Sequence, residues 1–255
     1  MSVREEIQPF PTQLLLLEET DSTNAYLKRH PELPHGTVVI AKRQSGGRGR
    51  LGRQFASPEG GLYLSLLLKP RIPLDQLMHL TAMAAVAVRR AIRDHCGILP
   101  EIKWLNDLLW QGRKLCGILA ESFFCGGECC LILGIGINCN TPRDAFPEEL
   151  RDSACSLAQI LGKQTDPEDL TCCVLRHLSE MERALVRERA SWLGEYTAAC
   201  VTIGKKIRVL DPKGVYEAEA LGIDEAGALQ IRTWEGDLRT VSTGEVSIRG
   251  IQGYH

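Results

Sequence analysis

Two apolar runs, Thr37-Val-Val-Ile-Ala41 and Leu62-Tyr-Leu-Ser-Leu-Leu-Leu68, enclose Lys42-Arg-Gln-Ser-Gly-Gly-Arg-Gly-Arg-Leu-Gly-Arg53, which holds five cations, four glycines and no acid. Both runs are short, bounded by turn residues, and read as buried strands. This context constrains the chain more than any other stretch. Gly47-x-Gly49-x-x-Gly52 matches the dinucleotide fingerprint, but that motif needs a helix to follow it, and here a strand follows. The phosphate-loop pattern fails too, since no Gly-Lys-Ser/Thr closes the stretch. An Arg-Gly nucleic-acid segment would be longer, repeated and interleaved with aromatics.

Two readings of the loop stay open on these residues alone. It is a solvated basic surface, or it is a backbone-and-guanidinium cradle for an anion. Glycines allow close approach of backbone N–H groups, and arginines supply planar forks that fit carboxylate and phosphate.

Any electropositive role has to be local, because the 255 residues carry a net charge of −2. Hydrophobic content of 44% and charged content of 24% are those of an ordinary globular protein. No apolar run approaches the ~18–20 residues of a membrane span, and Met1-Ser-Val-Arg-Glu-Glu-Ile7 lacks a signal sequence, so a cytoplasmic protein is expected. The ten cysteines include no Cys-x-x-Cys pair and have no histidine at ligand spacing. Neither a zinc site nor disulfides are expected. Cys125 and Cys129-Cys130, flanking Gly126-Gly127, are the thiols expected to oxidise first.

Along the chain, Leu14–Leu17 reads as a strand. A helix capped by Asp21 or Ser22 runs on to stop before Pro31. Ser22, Thr23 and Asn24 serve as caps or as hydrogen-bonding groups for a polar ligand; both uses stay open. Leu77, Leu80, Ala84, Val88 and Ile92 mark a helix over 75–96 whose terminal cations suit the macrodipole. Residues 101–110 and 114–121 read as two strands around Gln111-Gly-Arg113, and 128–138 as a buried strand whose Gly134 and Gly136 bare one face for something to pack on. A short helix lies within 141–162. A second long helix opens at Asp166-Pro167, with His177 beside its apolar stripe. After Cys200 come short alternating strands at 207–210, 215–223, 228–233, 238–241 and 246–249, the pattern of a small barrel.

Asp21-Ser-Thr-Asn24, Gln44, Gly47-Arg-Gly-Arg-Leu-Gly-Arg53, Lys103-Trp-Leu-Asn-Asp107, Arg113-Lys-Leu-Cys-Gly117, Gly134-Ile-Gly-Ile-Asn138 and Gly244-Glu-Val-Ser-Ile-Arg249 stand in this order. With them the chain resembles the biotin protein ligase family over nearly its whole length. The resemblance implies an α/β (α+β) fold: a catalytic domain like that of class II aminoacyl-tRNA synthetases over 1–200, with a mixed sheet and helices, and an SH3-like barrel over 201–255. It implies an adenylate-forming ligase. Biotin and MgATP give biotinyl-5′-AMP and pyrophosphate, and a lysine of a biotin carboxyl carrier protein or domain then takes the biotinyl group.

By the same resemblance, Arg48, Gly49 and Arg50 line the carboxylate–phosphate junction beside Gly47, with Arg53 nearby. Ser22, Thr23, Asn24 and Gln44 bind the ureido ring. Lys114 lies between carboxylate and α-phosphate, and Asp107 toward the ATP–Mg²⁺ side. Gly117, Gly134 and Gly136 make room for biotin, Asn138 meets adenine, and Lys103 and Arg249 reach toward the nucleotide. Two departures stand out. Leu105 occupies a position usually held by Pro, and Cys116 one held by Ala or Gly, which narrows the pocket floor or exposes a thiol. The residues before Ser22 are too few for a helix-turn-helix domain, so a monofunctional ligase without DNA binding is expected; a homodimer stays open. A lipoate ligase of the same fold and a non-catalytic biotin or nucleotide-binding regulator are the rival readings.

Overall fold

Strands that read as unbroken apolar runs need cover on both faces, and the architecture supplies it. The structure, a computed structural model, describes residues 10, 12–69, 77–185, 187–211, 214–242 and 247–250. Strand β1 (Gln13–Thr20) leads through helix α1 (Thr23–Arg29) to β2 (Thr37–Gln44), and the two strands pair in parallel with Leu14 opposite Val38. Next come β3 (Leu62–Leu68), helix α2 (Leu77–Cys96), β4 (Glu101–Lys103), β5 (Asp107–Trp110), β6 (Arg113–Cys125) and β7 (Glu128–Ile137). They complete a seven-stranded mixed sheet in the order β1-β2-β3-β7-β6-β5-β4.

Alternate side chains of the central strands serve two cores. Val38, Leu66, Leu131 and Leu133 join the large core with α2, whereas Val39, Leu67, Cys130 and Ile132 pack on Leu27 of α1. Helices α3 (Leu157–Leu161), α4 (Pro167–Ala184) and α5 (Arg189–Ala199) follow. Asp166 caps α4 through the N–H groups of Glu168 and Asp169, as its sequence predicts. His177 is buried, with its ring nitrogens 2.8 Å from Asp94 and 2.9 Å from Glu180. The terminal arginines of α2 are structural as well, since Arg90 lies on the Trp192 ring and pairs with Glu195.

The chain then forms β8 (Lys206–Asp211), β9 (Gly214–Ile223), β10 (Leu229–Thr233), β11 (Leu238–Val241) and β12 (Ser247–Gly250), an antiparallel sheet in the order β11-β10-β9-β8-β12. Its inward residues, among them Ile207, Val209, Leu229 and Ile231, belong to the same apolar cluster as the large sheet.

The structure corrects several sequence expectations. Residues 101–110 are two short strands, not one: the chain turns at 104–106 so that Lys103 pairs with Asp107, and the Trp104–Leu105 peptide is cis. Helix α5 was not foreseen, because its buried Trp192, Leu193 and Tyr196 follow a polar start. Cys116 is fully buried in the core, where burial pushes its thiol pKa up; it neither narrows a pocket nor is exposed. Cys130 is buried too, so only Cys125 and Cys129 of the hairpin trio are partly exposed. All ten cysteines are free thiols. Asp75, Gln76 and Gly244-Glu245 lie outside the described residues. Among those described, no helix is long and apolar enough to cross a membrane.

Candidate active site

Strand β1 delivers Ser22, Thr23 and Asn24 to the start of α1, and all three are buried. Ser22 does cap the helix, its Oγ accepting from the Ala25 N–H at 3.5 Å. The segment before it is pinned by Asp21, whose carboxylate takes two bonds from Arg29 at 2.7 and 2.8 Å and is held well below the usual carboxylate range by them. Capping therefore occupies Ser22 alone. The Thr23 N–H and hydroxyl donate to Gln44 Oε1 at 2.8 and 3.1 Å, and Gln44 Nε2 donates to Ser57 at 2.8 Å. Asn24 reaches across the sheet to Ser65 and Glu121.

The basic loop folds back as a hairpin. Phe55 N–H donates to Gly47 O at 2.9 Å and Gly49 N–H to Arg53 O at 2.7 Å. Leu51 and Gly52 form the tip with φ of 56° and 70°. A Cβ on Gly47 would come within 2.4 Å of Phe55 O, so the loop can close only with glycine there. Arg50 turns inward: burial lowers its pKa, and the facing Asp107 carboxylate partly restores it.

The β4–β5–β6 turns bring Asp107 and Lys114 together, the Lys114 ammonium 2.7 Å from a buried Asp107 oxygen that has no well-aligned hydrogen bond besides. The same ammonium stands 5.4 Å from the centre of the Phe55 ring. That ring lies against the bare faces of Gly117 and Gly136, where added Cβ atoms would come within 2.8 and 2.5 Å of it. Gly134 is bare for a different neighbour, the Asn24 amide.

These groups line one cavity of about 700 Å³. It brings together Ser22, Thr23, Asn24, Gln44, Arg48, Gly49, Arg50, Arg53, Lys103, Asp107, Lys114, Gly117, Gly134 and Gly136. Gly47 lines an adjoining groove on the other side of the loop. The cavity does not include Asn138, which is buried behind Lys114 and donates to the carbonyls of Lys114 and Cys155 at 3.3 and 3.0 Å. Arg249 stands in β12 opposite Arg208, and its side chain is outside the described residues.

Phe55, Ser57, Ser65 and Glu121 are the participants that sequence reasoning missed. Ser65 and Glu121 did leave a signal, each being a polar group inside or ending an apolar run. Phe55 left none beyond its place after the loop.

The chain matches the biotin/lipoate A/B protein ligase family over residues 16–138 and the biotin protein ligase C-terminal domain over 202–249. It is 32% identical to the biotin–[acetyl-CoA-carboxylase] ligase of Paracoccus denitrificans, over 85% of this chain and 93% of that protein. It is 39% identical to the bifunctional ligase/repressor BirA of Bacillus spizizenii, over 80% of this chain and 63% of that relative's length. The structure of the Aquifex aeolicus biotin protein ligase in complex with biotin and ATP superposes with a TM-score of 0.83 at 34% identity, covering 94% of this chain and 100% of that one. On these matches the chain belongs to the biotin protein ligase family.

Proposed function

We propose that this chain is an ATP-dependent biotin–protein ligase. The biotin carboxylate attacks the α-phosphate of ATP, the α–β bond breaks and pyrophosphate leaves. A lysine amine of a biotin carboxyl carrier protein or domain then attacks the mixed anhydride, and AMP leaves. The observation that carries this reading is the convergence of Arg48, Arg50 and Lys114 on a cavity that the Ser22–Gln44 polar network also lines. Two anions must meet within bonding distance; fixed cations and loop N–H groups offset their repulsion and the charge that builds at phosphorus. Phe55 over the glycine faces supplies an apolar wall for the acyl chain. Asn138 acts through Lys114, by fixing the strand that carries it.

The nucleotide would be held with Mg²⁺ as its counter-ion. No cluster of three or more ligating side chains exists among the described residues. A lone carboxylate fits a cation that keeps its waters and phosphates and takes one or two protein ligands. Asp107 would hold such an ion, which would supply charge neutralisation at the phosphates. Residues 1–200 form the catalytic unit and 201–255 the barrel, and the free thiols suit a cytoplasmic protein.

Incubation with biotin, MgATP and a carrier domain should add one biotinyl group to one lysine, read by mass spectrometry; lipoate in its place should give no adduct. Lys114→Ala should slow biotin-dependent pyrophosphate release by about two to three orders of magnitude. Near-wild-type turnover in a folded variant would sink the assignment.

A further inference from the structure

Asn24 is a member of the polar network whose hydrogen-bonding sense is set by a carboxylate outside it. Strands β3, β7 and β6 bring Ser65, Gly134 and Leu119 into register side by side. Over the space that Gly134 leaves lies the Asn24 amide, its Oδ1 only 2.2 Å from where a Cβ would stand. On one side Ser65 Oγ donates to Asn24 Oδ1 at 2.5 Å. On the other, Asn24 Nδ2 donates to Glu121 Oε2 at 2.8 Å and to Leu119 O at 3.4 Å.

A carboxylate and a peptide carbonyl only accept hydrogen bonds, whereas an amide has two donors and an acceptor oxygen with two lone pairs. With Glu121 and Leu119 on one flank, Asn24 must turn its NH₂ that way. Both donors are then spent, and one lone pair of Oδ1 remains for the cavity. An inverted amide could still donate to Ser65 Oγ, whose hydrogen has a second acceptor in Thr23 Oγ1 at 2.7 Å, but it would set its own oxygen against the Glu121 carboxylate and the Leu119 carbonyl, a large cost for a buried group.

We propose that Glu121 is a positioning residue for the substrate ring: it fixes Asn24 so that the pocket offers an acceptor there, and thereby selects a ring N–H. The inference rests on the ligase reading, under which the cyclic urea of biotin supplies that N–H. Glu121 touches neither substrate nor the reacting atoms; it acts through Asn24.

The test is a reciprocal exchange. Asn24→Asp keeps an acceptor toward the cavity but sets two carboxylates against each other. Glu121→Gln added to it supplies an N–H to the new aspartate and restores the bond in reverse. Asn24→Asp should raise the KM for biotin at least tenfold and leave the KM for ATP within about twofold, and the double variant should recover most of the loss. Glu121→Gln alone replaces the acceptor-only group by an amide that can donate or accept, and leaves only the long 3.4 Å bond to Leu119 O to orient Asn24. It should cut the preference for biotin over its cyclic carbamate analogue, in which oxygen replaces one ring N–H, by about tenfold. A double variant no better than Asn24→Asp would overturn the proposal. So would unchanged discrimination in Glu121→Gln, which decides the matter if Asn24→Asp fails to fold. Absence of biotin binding by the wild-type chain would remove the ligase reading instead.

Discussion

Arg50 shows how burial sets one loop cation apart from its neighbours. The loop carries five cations of equal formal charge, and their sequence does not rank them. In the structure Lys42 and Arg43 pair with Glu18 and Glu19 on the solvent side of β1 and β2, where such pairs contribute little. Arg50 is instead drawn in toward Asp107 and loses hydration, which lowers its pKa. A partly desolvated guanidinium interacts strongly with an anion that replaces its water. Arg50→Ala should therefore speed dissociation of the biotinyl-adenylate by about tenfold or more, measured by chase of the preformed complex; an unchanged off-rate would make Arg50 only a loop cation. Lys114 teaches the same lesson. Like Lys103, it is a lysine in a short β-forming segment, and that local setting does not separate the two. What distinguishes it is a carboxylate seven residues earlier in the chain, brought to 2.7 Å by the β5–β6 turn.

At the scale of elements, the strand–loop–strand context was legible because it depends on local chemistry: apolar runs, turn residues and the absence of a helix after the glycines. What filled the bare faces of β7 was not legible. Gly134 and Gly136 announced that something packs there, but Phe55 and Asn24 arrive from distant segments. Contacts of that separation are set by sheet order, not by spacing. The split of 101–110 into β4 and β5 was hidden for a related reason, since Trp104 and Leu105 are as apolar in a buried turn as in a strand. The tip of the loop, with Leu51 and Gly52 at positive φ, is exposed. Its clustered cations repel one another until an anion arrives. Trypsin should thus cut after the exposed Arg48 or Arg53 readily in the free protein and several-fold more slowly with biotin and MgATP present. Equal cutting rates would mean that the loop gains no order from the ligand.

Across the whole molecule, the small sheet is more than an appendage, because it holds the turn that presents Asp107. Val201 N–H donates to Ile102 O at 2.9 Å, and Thr202 Oγ1 accepts from Trp104 N–H at 3.0 Å. The Trp104 indole N–H donates to Gly227 O at 3.3 Å, between β9 and β10. From the other side Tyr196 of α5 donates to Leu105 O at 3.0 Å. The turn at 104–106 is thus clamped by groups from α5, from the segment that follows it and from the β9–β10 turn, and one continuous core runs beneath both sheets. Two sheets that share a core and a polar clamp should unfold together. Trp104→Phe keeps an aromatic in place, removes the bond to Gly227 and leaves that carbonyl unpaired, at a cost of about 1–3 kcal/mol. The wild-type chain should show one thermal transition by far-UV circular dichroism and by tryptophan fluorescence. The variant should keep a single transition at a lower midpoint, with adenylate formation several-fold slower because Asp107 and Lys114 are less well held. Two resolved transitions, of which only one shifts, would show that the sheets fold independently. A lowered midpoint with unchanged adenylation would reduce the clamp to packing alone.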